Sequence, residues 1–103
     1  MYRINVYIQA SHLGGVKQGM FDAGAGKIGN YDQCCWQTKG QGQFRPLEGS
    51  DAFIGETGRL EIVDEYKVEF VCDAGAVHQV MAAMKAAHPY EEPAYDVYQP
   101  VLL

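Results

Sequence analysis

From Leu60 to Cys72 the chain alternates largely apolar with largely polar residues. Leu60, Ile62, Asp64, Tyr66, Val68, Phe70 and Cys72 share one parity. Arg59, Glu61, Glu65, Lys67 and Glu69 hold the other, with Val63 and Val71 mixed in. Successive side chains of a strand point to opposite faces, so this period of two is the clearest strand signal in the sequence. It predicts a long strand whose polar face meets water. Tyr2, Ile4, Val6 and Ile8 alternate in the same way with Arg3, Asn5 and Tyr7 and predict a first, half-buried strand.

Helical spacing follows each of these strands. After Ser11, a candidate N-cap, Leu13, Val16, Met20 and Ala23 recur at helical intervals, and Gly24 suits the position just past the helix end. Gly14, Gly15 and Gly19 lie inside this segment and each weakens a helix by about 1 kcal/mol, so packing must hold it. Asp73 is placed to cap a second helix. Val77, Val80, Met81, Met84 and Ala87 form its apolar stripe, and Pro89 ends it. Tyr31 to Thr38 is expected to form another strand, broken or bulged at Gly40 and Gly42, with Phe44 to Leu47 as a short arm. Glu48 to Gly58 is expected to be a loop that holds one isolated apolar pair, Phe53 and Ile54. Tyr95 to Gln99 is expected to be a last strand.

The order β-α-β-β-α-β is that of an α+β, ferredoxin-like sandwich with extended strands. With 103 residues the chain makes one domain, 1–103. Two helices would cover one sheet face, and the exposed aromatics on the other predict a second subunit there.

Charge and composition exclude several classes. A net charge of −5 removes the basic face that nucleic-acid binding needs. No apolar run approaches the roughly 20 residues of a membrane span, and no signal peptide is read, so a cytoplasmic protein is expected. Cys34, Cys35 and Cys72 cannot all pair, which points to a reducing compartment.

Four segments carry chemical side chains. Gly24-Ala25-Gly26-Lys27-Ile28-Gly29 looks like a phosphate loop, but it follows a helix and opens a strand, the reverse of what such a loop requires. It reads as a tight connector, or as an anion-binding nest beside Lys27. Cys34 and Cys35, if on a strand, face opposite sides and cannot easily share a metal, so one buried and one exposed structural cysteine is the ordinary reading. His12, His78 and His88 lack helical metal-site spacing, and His88 closes the second helix, where a cation suits the dipole. His88-Pro89-Tyr90-Glu91-Glu92-Pro93 is the most distinctive run. Two prolines stiffen the backbone around two carboxylates, which can form interface ion pairs, bind a cation or do acid–base work. No nucleophile–base pair accompanies them, so the chain is not expected to be an enzyme.

Several of these runs carry a family resemblance. Gly24 to Tyr31, Gly40-Gln41-Gly42-Gln43-Phe44-Arg45-Pro46, Phe53-Ile54-Gly55 and His88 to Asp96 resemble, in order and spacing, the YqfO-like small proteins. Those are similar to the domain inserted in many GTP cyclohydrolase 1 type 2 proteins, also called NGG1p-interacting-factor-like. The His-Pro-Tyr run is also similar to one in CutA divalent-ion tolerance proteins. The resemblance implies a PII/CutA-like fold and assembly, commonly as a trimer, with extended strands joining subunits. It does not imply cyclohydrolase activity. The enclosing family's dimetal site lies in flanking halves, which three histidines in this sequence cannot supply. A separately encoded protein resembling those halves is one candidate partner. At Ser50-Asp51-Ala52-Phe53 the sequence departs from the family's usual Asn-Pro before Phe.

The leading expectation is a non-catalytic oligomeric binding or regulatory module that takes a small anionic ligand or an ion at subunit clefts. Gly26, Lys27, Gly29, Asn30, Tyr31, Arg45, His88, Tyr90, Glu91 and Glu92 are the candidate lining. The alternatives are a CutA-like divalent-metal protein, with Cys34, Cys35, His88, Glu91 and Glu92 as ligands, and a purely structural oligomerisation domain. No organic cofactor is expected.

Overall fold

The computed structural model describes residues 1–103. Strand β1 runs over Tyr2–Gln9, helix α1 over Leu13–Asp22, β2 over Trp36–Phe44, β3 over Glu61–Cys72, α2 over Val77–Ala87 and β4 over Tyr95–Tyr98. A short 3₁₀ turn leads into each helix, at Ala10–His12 and Ala74–Ala76. The strands form one antiparallel sheet in the order β2-β3-β1-β4, the ferredoxin-like arrangement expected from the element order. No helix is long and apolar enough to cross a membrane.

The alternating strands bury one face. Ile4, Val6 and Ile8 of β1 and Val68, Phe70 and Cys72 of β3 meet Val16 and Met20 of α1 and Val80 and Met84 of α2 in a single core. Val77, Met81 and Ala87 flank that core as the helical stripe predicts. The glycine-bearing α1 is held by packing. A Cβ at Gly19 would stand 3.7 Å from the Ala87 Cβ, so a small residue lets α1 and α2 approach closely. Gly24, at φ +118°, ends α1. The N–H of Gly24 donates to the Phe21 carbonyl and that of Ala25 to the Met20 carbonyl, which is a Schellman closure.

Several local expectations are corrected. Neither Ser11 nor Asp73 caps a helix through its side chain; Ser11 Oγ instead meets His12 Nδ1 at 2.8 Å. Strand β2 begins at Trp36, not Tyr31, and it passes through Gly40 and Gly42 unbroken, in register from Trp36↔Glu69 to Phe44↔Glu61. Tyr31 makes only an isolated bridge to Ile28. The outer half of the β2–β3 hairpin runs past both helices as an arm. Ile62 is therefore 58% exposed, although it lies on the apolar parity of β3. Glu65, Lys67 and Glu69, on the parity expected to face water, are only half exposed.

The final strand and the open face are held by polar contacts. Asn5 is buried on the face away from the helices and donates from Nδ2 to Asp96 of β4 at 2.8 Å. The Lys85 ammonium lies 5.2 Å from the Tyr95 ring centroid, a cation–π contact that ties α2 to β4.

Candidate functional site

The chain from Arg45 to Ile54 folds back over the base of the β2–β3 arm and meets the segment that follows α2. Between them lies a cleft of ≈ 400 Å³. Phe44, Arg45, Pro46 and Leu47 form one wall, Ser50, Ala52, Phe53 and Ile54 another, and Tyr90, Glu91, Glu92 and Ala94 a third. Glu65 of β3 and Gln43 of β2 complete the lining. The Asp51 backbone N–H donates to the Glu91 carboxylate at 3.1 Å and pins the loop to the opposite wall.

Aromatic rings frame this space. The Tyr90 ring lies 6.2 Å from that of Phe44 and 6.4 Å from that of Phe53. Phe53 also meets His12 edge-on at 5.2 Å, so one member of the pair read as isolated in the sequence closes a cluster.

His88 supports Tyr90 from behind, with the rings 4.9 Å apart. Its Nδ1 accepts the Tyr90 backbone N–H at 3.2 Å, which requires that nitrogen to be unprotonated. Nε2 therefore carries the proton and donates to the Tyr7 carbonyl at 2.8 Å. Burial pushes the His88 pKa below its ordinary value. The Tyr7 carbonyl and Glu65 oppose that shift, and His12 adds to it. The expected cation at the end of α2 is thus corrected to a buried neutral imidazole. Neither ring nitrogen is free to bind a metal.

Glu65 forms the polar floor. Its carboxylate lies against the backbone of Gly42, where a Cβ would overlap Oε1. Glycine leaves that space for the Glu65 end group as it is placed here, and β2 passes through Gly42 without a break in the ladder. The Tyr90 hydroxyl is buried beside Glu65 but does not meet it in hydrogen-bond geometry, and it has no other partner. Burial, and then the neighbouring Glu65, raise the Tyr90 pKa far above its ordinary value, so the hydroxyl stays protonated. Gln9 stands directly opposite Glu65 on β1, and its side-chain carbonyl is also buried without a partner. A second, more open depression on the open sheet face, of ≈ 540 Å³, shares Glu65 and adds Tyr7, Lys39, Lys67 and Glu69.

The candidate residues divide into two groups. Arg45, Tyr90, Glu91 and Glu92 line the cleft, and His88 braces it. Gly26, Lys27, Gly29, Asn30 and Tyr31 lie at the other end of the sheet. Gly26 donates to the Val71 carbonyl, six residues along β3 from Glu65, or about 20 Å at strand rise. There the turn is the tight connector that its glycines indicate. Gly26 has φ +80°, and a Cβ on it would lie 2.7 Å from the Cys34 carbonyl oxygen. Lys27, Gly29, Asn30 and Tyr31 are exposed.

The metal candidates divide in the same way. Cys34 and Cys35, both half-buried and free, lie in the connector, far from His88, Glu91 and Glu92. Nowhere do three His, Cys, Asp or Glu side chains come close enough to hold a metal ion. Phe44, Phe53 and Glu65 also line the cleft, and none of them was among the site residues expected from the sequence.

Comparison with known proteins places the fold first. CutA from Xylella fastidiosa superposes with a TM-score of 0.68 at 15% identity, over 98% of this chain and 84% of that one. GlnK from B. subtilis does so at 0.60 and 15%, over 94% and 81%. The chain therefore has the PII/CutA-like fold. Sequence identity then narrows the kinship. A GTP cyclohydrolase 1 type 2 homolog of Halalkalibacterium halodurans is 46% identical over 98 residues, which is 95% of this chain and 26% of that protein. A Bacillus cereus protein related to NIF3 matches at 41% identity with a TM-score of 0.80, over 94% of this chain and 24% of the other. The chain is thus a homologue of one segment of the GTP cyclohydrolase 1 type 2 homologs, and it spans about a quarter of their length. No family model matches it.

Proposed function

We propose that this chain is a non-catalytic, self-associating binding module whose cleft between residues 44–54 and 90–94 takes a small ligand. The cleft carries the reading. Three segments distant in sequence converge on it, and it combines aromatic walls with a polar floor that is not fully hydrogen-bonded. The absence of catalysis is supported by His88, whose two nitrogens are both engaged, and by thiols that lie at the far end of the sheet. Three free cysteines fit a reducing compartment such as the cytoplasm.

Self-association is supported by the arm and the sheet edges. Strands β2 and β4 each leave one edge unpaired. Leu60 and Ile62 stand exposed on or beside the arm and Trp36 at the other end of β2, an arrangement that another copy can cover. A trimer is the assembly proposed. Sedimentation equilibrium tests it together with a thermal-shift screen of small molecules. A trimer whose melting temperature rises with a compound, in a manner lost in Phe53→Ala, supports the module. A monomer that no compound stabilises contradicts it.

A further inference from the structure

The cleft has a definite charge. Arg45 is the one cation in its lining, against Glu65, Glu91 and Glu92. Glu91 spends one oxygen on the Asp51 N–H, whereas the Glu65 and Glu92 carboxylates make no hydrogen bond and have both oxygens open to a ligand. Of the lining residues, Tyr90 has a buried hydroxyl without a partner, and just outside the lining Gln9, opposite Glu65 on β1, has a buried side-chain carbonyl without one. A buried oxygen without a hydrogen-bond partner is destabilising, and a ligand that donates N–H groups relieves it. The Glu65 carboxylate and the Gln9 side-chain carbonyl can only accept, and the Tyr90 oxygen has free acceptor capacity. Phe44, Phe53 and Tyr90 line the same space, with the Tyr90 ring 6.2 Å from that of Phe44 and 6.4 Å from that of Phe53.

We propose that the cleft binds a small organic cation, an ammonium or guanidinium group on an apolar body, with the cationic head toward Glu65 and the body against Phe44 and Phe53. The proposal rests on the reading of this cleft as a ligand site, and it fixes the ligand's charge class. That charge is opposite to the one expected for a ligand of the glycine-rich turn. An aromatic frame attracts a cation through the negative face of each ring. The carboxylate floor adds a charge-assisted hydrogen bond. A bare divalent ion is disfavoured, because no three ligating side chains converge there.

Two probes of nearly equal size separate the possibilities: phenethylamine, which is cationic at neutral pH, and 3-phenylpropionate, which is anionic. Each is titrated at millimolar concentration into the ¹⁵N-labelled wild-type protein while backbone amide shifts are followed. The expected result is saturable shifts at residues 44–53 and 90–94 with phenethylamine, at an affinity at least about tenfold above that for phenylpropionate. Glu65→Gln should erase the preference. The preference is read on the wild-type protein, so it stands whether or not that variant folds. Equal or tighter binding of phenylpropionate at the same amides overturns the cation inference and leaves the ligand site standing. Absence of shifts in these segments with either probe overturns both.

Discussion

His88 donates from Nε2 to the Tyr7 carbonyl at 2.8 Å and so joins the end of α2 to the centre of the sheet. The bond holds the ring behind Tyr90, and thereby one wall of the cleft, in a single orientation. Because the ring is buried and its Nδ1 already accepts a hydrogen bond, protonation is disfavoured in the folded state. The folded pKa lies below the ordinary value of about 6.5, so the unfolded chain binds a proton more readily. This contribution to stability is complete above that value and is lost as pH falls through the folded pKa. Urea midpoints measured from pH 8 down to pH 5 should decline below about pH 6.5. The component due to His88 should vanish in His88→Gln.

The Tyr90 hydroxyl is buried without a partner, so its removal should do no harm to the empty protein. Tyr90→Phe is expected to be neutral or up to about 1 kcal/mol more stable in urea denaturation, in contrast to the loss seen when a satisfied hydroxyl is removed. Its affinity for phenethylamine should fall in the same samples. Together these results separate an oxygen kept for a ligand from one kept for the fold.

Two glycines should respond in opposite ways to alanine. Gly26→Ala forces a side chain onto a backbone at φ +80° and against the Cys34 main chain. It should lose about 2 kcal/mol or more. At Gly42 the obstacle is the movable end of Glu65, so Gly42→Ala should keep nearly the same melting temperature. It should still displace the Glu65 carboxylate from the floor and weaken cation binding. Calorimetric melting and a phenethylamine titration of both variants check the pair.

Ile62 is more than half exposed on the arm and takes no part in the core. Ile62→Glu should leave the circular dichroism spectrum unchanged and shift sedimentation toward the monomer. Met84, fully buried between α2 and the sheet, is the contrasting case. Met84→Ala should destabilise every state by about 2–5 kcal/mol through the cavity it leaves.

The legible part of the fold was the part in which burial follows a strict period. Strands β1 and β3 alternate because one face packs on helices, and the stripe of α2 repeats because it meets that face. Strand β2, with the sequence Trp-Gln-Thr-Lys-Gly-Gln-Gly-Gln-Phe, is an edge strand of an exposed arm and carries no such period. Its Gly42 looked like a break because the Glu65 side chain that lies against it belongs to the neighbouring strand. The site divided for a similar reason. Arg45, Tyr90, Glu91 and Glu92 stood out as unusual local runs. Glu65 was hidden within the regular polar parity of β3, and Phe53 gains its meaning only from His12 and Tyr90, which are distant in sequence.

The most direct test of a self-associating ligand-binding module is native mass spectrometry of the untagged protein, purified gently from its own cells. The account predicts a mass of three 11.4 kDa chains together with a discrete additional mass that is lost in Phe53→Ala. A bare monomer at every protein concentration would contradict it.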